Sequence, residues 1–152
     1  MIEVHTASRE DIPMIVEFQK LMALETEDMA LDDKKISEGV ASVFDDPEKG
    51  FYMVSESNNQ VVASMMITPE WSDWRNGYFL WIQSLYVIPS YRKQGVFRKM
   101  YQHIKQTVID SEIFLGLRLY VEENNNSAID VYTNVGMKGS HYKMFEWVDN
   151  SK

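Results

Sequence analysis

Residues 85–100 constrain this chain more than any other stretch. Leu85-Tyr86-Val87-Ile88 is apolar strand sequence, Pro89-Ser90-Tyr91-Arg92-Lys93-Gln94-Gly95 is a basic turn with one glycine, and Val96-Phe97-Arg98-Lys99-Met100 restarts as an amphipathic helix. A fold that contains it must end a strand and begin a helix within a few residues. The N–H groups that open a helix lack intrahelical partners, and the helix dipole adds partial positive charge where they converge. We read the turn as a phosphate cradle made of main-chain amides.

Charge is distributed in the same sense. The net charge is −8, yet residues 74–109 hold six bases (Arg75, Arg92, Lys93, Arg98, Lys99 and Lys105) and no Asp or Glu, so the remainder carries −14. A basic segment that coincides with an anion-favouring turn suits a phosphorylated ligand. The competing reading is a solvated basic helix face. Acidity elsewhere argues against a nucleic-acid binder, which needs an extended positive footprint.

The 152 residues fit one domain, expected over 1–152, with a single core. Cysteine is absent, which excludes disulfides and thiolate metal sites and favours a cytoplasmic address. Met1-Ile2-Glu3-Val4-His5 is acidic where a secretory signal is basic, and no apolar run approaches the roughly 20 residues of a membrane span; we expect a soluble chain with no membrane partner. His5, His103 and His141 show no ligand spacing, so no metal is expected.

Ile2 to Thr6 reads as a strand. Ser8 with Asp11 three residues on opens a long helix through Ile12, Ile15, Val16, Leu21 and Leu24. Ile36, Val40, Val43 and Phe44 mark a second helix over about 33–46, closed by Pro47 and Gly50. Phe51 to Ser55 and Gln60 to Thr68 flank Asn58-Asn59 as an antiparallel hairpin. We read a loop at 70–77, a strand from Tyr78 to Ile88, and a helix from about Val96 to Asp110. A strand from about Gly116 to Glu122, a helix after Asn125 and a last strand around His141 to Val148 follow. This order gives an α/β fold: one mixed, mostly antiparallel sheet with helices on both faces.

Val87 through Phe97 resembles the acetyl-coenzyme A signature of the GNAT superfamily of N-acetyltransferases, in which Arg or Gln-x-x-Gly-x-Gly or Ala opens a helix after a strand. Arg92-Lys93-Gln94-Gly95-Val96-Phe97 meets it except at Phe97, whose ring must point away toward the core to leave the backbone clear. Asn125-Asn126-Ser127-Ala128-Ile129-Asp130-Val131-Tyr132-Thr133-Asn134-Val135-Gly136-Met137 resembles a second segment of that family, Asn-x-x-Ala-x-x-x-Tyr-x-x-x-Gly-Phe, with only Met137 differing. The resemblance covers the whole chain and is strongest from Trp81 to Met137. It implies a GNAT-like sheet with splayed central strands and acetyl-coenzyme A as co-substrate.

It also implies roles. Backbone groups of Leu85, Tyr86 and Val87 would pair with the pantetheine arm, in effect adding a strand. Amides from Arg92 through Lys93, Gln94, Gly95 and Val96 to Phe97 would hold the pyrophosphate, with Lys93, Arg98 and Lys99 near the outer phosphates. Asn125 would contact the cofactor or cap its helix. Ala128 and Tyr132, four apart, share a helix face, and a phenol is acid enough to protonate a departing thiolate at neutral pH. The tyrosine matching Tyr132 has that role in the family; its alternative is a core tyrosine.

The attacking amine, with a pKa of about 10, must first lose a proton. Many family members place a Glu where this chain has Gln83, which cannot titrate but can orient a water. Glu122, Glu25, Glu27, Asp73 and His141 are the other proton acceptors on sequence, and none is singled out. Glu25, Glu27, Asp28, Glu70 and Asp73, with Trp71, Trp74 and Trp81, form either an acidic, aromatic mouth for a cationic amine or, for the tryptophans, a seal on the hairpin.

The reading is an N-acetyltransferase that moves acetyl from acetyl-coenzyme A to an amine of a small molecule or peptide by direct attack. A non-catalytic coenzyme A-binding sensor or interaction module is the alternative. The acceptor, the acyl chain and the choice between monomer and homodimer stay open.

Overall fold

The structure, a computed structural model, describes residues 1–139 and 142–152. The chain packs as two compact units, Met1–Tyr120 and Val121–Lys152. In the first, β1 (Ile2–Thr6) leads through a short 3-10 turn into α1 (Ile12–Glu27). The Asp11 carboxylate accepts from the Ser8 amide at 2.7 Å, closing the turn ahead of the helix. Pro13 sits at the helix start, where its missing N–H costs nothing. Asp28, left-handed at φ 48°, ends α1. The Asp32 side chain accepts from the Lys35 amide at 2.8 Å and caps α2 (Asp33–Asp45).

Four strands then build the sheet: β2 (Phe51–Ser57), β3 (Gln60–Ser72), β4 (Gly77–Val87) and, after α3 (Val96–Ile109), β5 (Phe114–Leu119). Their order is β1-β2-β3-β4-β5, with every pair antiparallel except β4 and β5. Asn58 and Asn59, at φ 51° and 61°, make the tight reversal between β2 and β3. Gly50 enters β2 at φ 128°, and a Cβ there would lie 2.1 Å from the Ile67 carbonyl oxygen, so only glycine fits.

Ile15 and Val16 of α1 and Val40 of α2 pack on Tyr52 and Val54 of β2. Strand side chains alternate, so buried Met53 and Ser55 point to the other face. There α3 lies against β1, β2 and β5 with Val96, Met100, Tyr101 and Ile104 buried. Helices thus cover both faces of a mixed sheet, as the sequence leads one to expect. Among the described residues no helix is long and apolar enough to cross a membrane.

Three boundaries differ from the sequence reading. Residues 70–77 are half strand, around a turn at 73–76: β3 runs to Ser72, β4 starts at Gly77, and Glu70, Trp71 and Ser72 pair with Phe79, Tyr78 and Gly77. The rings of Trp71 and Tyr78 meet edge to face at 4.9 Å, and this cross-strand pair outweighs the local loop preference of a stretch rich in Ser, Asp, Asn and Gly. Strand β5 runs from Phe114 to Leu119 and not from about Gly116 to Glu122: it starts where Phe114 pairs with Tyr78 and stops with the last β4 pair, Ile82 with Leu119. Among the described residues, 142–148 do not form the last strand expected around 141–148; Ser140 and His141 lie outside the described residues. The second unit holds α4 (Asn126–Asn134) as its one helix among described residues.

Candidate cofactor and active site

Everything at the end of β4 follows from one irregularity. Its ladder to β3 runs in register from Gly77 to Gln83, then slips: Gln83 faces Met66, while Tyr86 faces Ser64. One extra residue is accommodated at Ser84-Leu85, and Ser84 adopts φ 50°. A one-residue slip reverses which face each later side chain occupies. Ile82 sits opposite Ile67, on the α3 side. Tyr86, opposite Ser64, is turned to the α1 side, its ring 5.3 Å from that of Phe18.

The ladder to β5 stops at the same place. Its last pair is Ile82 with Leu119, so among the described residues Gln83 to Val87 have no β5 neighbour. The expected splay of central strands thus appears, among the described residues, as an edge strand β5 that ends at Leu119 and leaves the end of β4 without a neighbour on that side. On that side the strand end has no described ladder partner, although the Val87 carbonyl accepts from the Arg92 side chain at 2.8 Å.

Beyond Val87 the chain passes through a 3-10 turn, Pro89–Tyr91, into the basic turn. Lys93 and Gly95 are left-handed, at φ 61° and 77°. Arg92 before them is extended, at φ −67° and ψ 151°, and left-handed residues just ahead of a helix start can turn N–H groups toward a bound anion. Gly95 caps α3, and a Cβ built on it meets nothing within 4 Å: the glycine is required by its backbone, and the space above it is open. No described carbonyl accepts from the amides of Lys93, Gln94 or Gly95 with hydrogen-bond geometry, while the Gln94 side chain braces the turn by donating to the Ser90 carbonyl at 2.6 Å. The Phe97 ring lies against Tyr101, centroids 6.0 Å apart. Lys93 and Arg98 are exposed, whereas the Lys99 ammonium reaches the Ile2 carbonyl at 3.4 Å.

Arg92 is engaged elsewhere. Its amide donates to the Pro89 carbonyl at 3.3 Å, its Nε to the Val87 carbonyl at 2.8 Å and its Nη2 to Glu25 at 2.7 Å. The second Glu25 oxygen accepts from the Tyr86 hydroxyl at 3.0 Å. The Arg92 guanidinium beside Glu25 holds that carboxyl below the usual carboxylate range, which makes Glu25 a poor proton acceptor. Burial, then Glu25, pushes the Tyr86 phenol up.

Gln83 is half-buried on the α1 side and donates to Thr68 Oγ1 at 2.6 Å, a partner that only the folded register reveals. The expected acidic mouth is partly neutralised, because Glu70 pairs with Arg118 at 2.5 Å and the Arg118 guanidinium lies 3.6 Å from the Phe79 ring centroid. Glu27, Asp28 and Asp73 are exposed. Of the tryptophans, Trp74 is 90% exposed at the hairpin tip, so it seals no core; Trp71 leans on Tyr78, and Trp81 lies 4.5 Å from Tyr120. No group of three or more potential metal ligands gathers among the described residues.

In the second unit the Asn125 side chain accepts from the Ala128 amide at 3.1 Å, so this residue caps α4. Ala128 and Tyr132 are half-buried. Burial pushes the Tyr132 phenol above its usual value, keeping it protonated and able to donate. Glu122 is exposed.

A model of the acetyltransferase (GNAT) family matches residues 13–137. No curated relative matches the chain. Among solved structures it is 40% identical to a possible acetyltransferase from Clostridium difficile 630, with TM-score 0.91 over 98% of each chain. It shares a fold with a predicted acetyltransferase with acetyl-CoA from Clostridium acetobutylicum, at 18% identity and TM-score 0.73 over 98% of this chain and 95% of that one. It also resembles an aminoglycoside acetyltransferase from an uncultured soil metagenomic sample in complex with sisomicin, at 13% identity and TM-score 0.80 over 97% and 95%. A family match that begins in α1 and runs past Tyr132, together with 40% identity over 98% of the chain to the Clostridium difficile structure, makes this chain a member of the GNAT family of acetyltransferases.

Proposed function

We propose that residues 1–152 act as one acetyltransferase domain, moving acetyl from acetyl-coenzyme A to an amine of a small molecule or peptide. The observation that carries this reading is the half-strand Gln83–Val87, released by β5 and running into a turn with left-handed Lys93 and Gly95. The open space above Gly95 fits a group that approaches the backbone closely. The match to the family and the acetyl-CoA named with the Clostridium acetobutylicum structure support the same co-substrate.

Acetyl-coenzyme A supplies an acyl thioester. In this proposal Leu85, Tyr86 and Val87 align its pantetheine arm through the backbone, and amides from Lys93 to Phe97 take the pyrophosphate, with Lys93 and Arg98 nearby. Asn125 serves by capping α4, and Ala128 leaves room beside Tyr132. Gln83, fixed by Thr68, orients a water that receives the proton of the amine. The amine nitrogen bonds to the acetyl carbon as the carbon–sulfur bond breaks, and Tyr132 returns a proton to sulfur. Exposed Glu27, Asp28 and Asp73 favour a cationic acceptor, and sisomicin, the ligand of one structural neighbour, is of that chemical kind.

The test is to supply acetyl-coenzyme A with polyamines, amino acids, aminoglycosides and peptides, and to follow free thiol. Thiol should appear with at least one amine, and Tyr132→Phe should lower kcat about a hundredfold with little change in acetyl-coenzyme A binding. Tight binding with no thiol release from any amine would assign the chain to a coenzyme A-binding module.

A further inference from the structure

We propose that Glu25 is a positioning residue for the cofactor turn, and that it works through Arg92, whose guanidinium braces the turn from behind. This rests on the coenzyme A reading above and adds to it what keeps the cradle in shape. Arg92 leads the signature, so a direct phosphate contact is the obvious role for its side chain. The geometry points elsewhere.

Its Nε closes the segment 87–92 by donating to the carbonyl of Val87, the last residue of β4, at 2.8 Å. Its Nη2 reaches Glu25, in the last turn of α1, at 2.7 Å. Glu25 then uses its other oxygen for the hydroxyl of Tyr86 at 3.0 Å, and the guanidinium lies 5.4 Å from the Tyr86 ring centroid. One carboxylate thus ties the helix to the strand end and to the turn together. The bulge at Ser84 is what allows this, since without the slip in register Tyr86 would face α3.

The turn needs such a brace. Lys93 is a non-glycine residue in the left-handed region, a conformation that persists only where its surroundings enforce it. A turn that leaves this geometry part of the time presents converged amides part of the time, and its ligand affinity falls by that fraction. Both partners of the ion pair are about two-fifths exposed, so the pair contributes little to global stability. Its effect belongs in the affinity of the site.

Coenzyme A binding to the full chain by calorimetry tests this, with hydrogen exchange at residues 92–97 in the free protein. Glu25→Gln should weaken coenzyme A about fivefold, speed exchange in the turn, and raise KM for acetyl-coenzyme A while leaving kcat at saturation within about twofold. Arg92→Lys should behave alike, because an ammonium cannot serve Val87 and Glu25 together as a planar fork does. The double variant should be no worse than either single one, since both break one network. Unchanged affinity and exchange in Glu25→Gln overturn the proposal. So do additive losses in the double variant, which would place the Arg92 side chain on the phosphates. A wild-type chain that does not bind coenzyme A overturns the functional reading itself, and this inference with it.

Discussion

The first half of β4, Gly77 to Ile82, is hydrogen-bonded to β3 on one side and β5 on the other, with Leu80 and Ile82 buried. The second half, Gln83 to Val87, keeps only β3 among the described residues, bends at left-handed Ser84 and runs into the basic turn. The two halves come from one continuous strand, the second opening with the polar pair Gln83-Ser84. What separates them is the number of neighbours each backbone has: full pairing gives stability, and a missing neighbour leaves groups that a ligand can satisfy.

The comparison breaks most visibly in the closed half. Leu80→Ala, at a side chain 2% exposed, should cost about 3 kcal/mol of stability by chemical denaturation. The folded protein should keep its coenzyme A affinity within about twofold. A parallel loss of affinity would show that the halves move as one.

In the open half the expected effect is kinetic. Gln83 cannot accept a proton at any working pH, and Glu25 is held below the usual carboxylate range by Arg92, so neither serves as the base. The rate should then follow the neutral fraction of the amine: kcat/KM should rise about a hundredfold between pH 7 and 9 for an amine of pKa about 10. The proposed acid, Tyr132, does not cut this rise short. Burial raises the Tyr132 pKa, so the phenol stays protonated to higher pH than a free tyrosine, and its loss would appear only above the ordinary range of about 10. A plateau near pH 7 would reveal an enzyme base.

Next comes the turn that the open half feeds. Gly95→Val places a β-branched residue at φ 77° with no neighbour to clash with, so the cost is conformational, about 1–2 kcal/mol. If the turn relaxes to avoid it, coenzyme A should bind about tenfold more weakly, read by titration. Wild-type affinity would mean that the amides do not hold the phosphate.

Local rules made much of this legible. A single glycine after Arg92-Lys93-Gln94 marked the turn, Asn58-Asn59 marked a hairpin, and the apolar spacing of Ile12, Ile15 and Val16 marked a helix, because each depends on residues within one turn or one strand. What was hidden depends on distant partners. Glu25 and Arg92 are 67 residues apart, and Glu25 read alone is one acid among many. The hairpin at 70–77 rests on Trp71 meeting Tyr78, and the start of β5 on Phe114 meeting Tyr78. The bulge left no sign in composition, since Gln83-Ser84-Leu85 carries neither glycine nor asparagine.

That last point makes Ser84 the finest test of the comparison. A serine at φ 50° sits where L-residues pay about 1–2 kcal/mol, whereas glycine adopts the conformation freely but gives up about 0.4–1 kcal/mol through the entropy of the unfolded chain. Ser84→Gly should therefore stabilise the protein by about 0.5–1 kcal/mol, the smallest effect here. The slip in register is preserved, so Tyr86 stays on the α1 side, the Glu25 brace persists and coenzyme A affinity should not change. Ser84→Val should do the reverse, because a β-branched side chain resists the left-handed region: lower stability, Tyr86 driven from Glu25, and weaker binding. If Ser84→Gly destabilises the fold instead, the bend is held by the serine itself, and the open half of β4 owes its shape to a side chain and not to the missing neighbour.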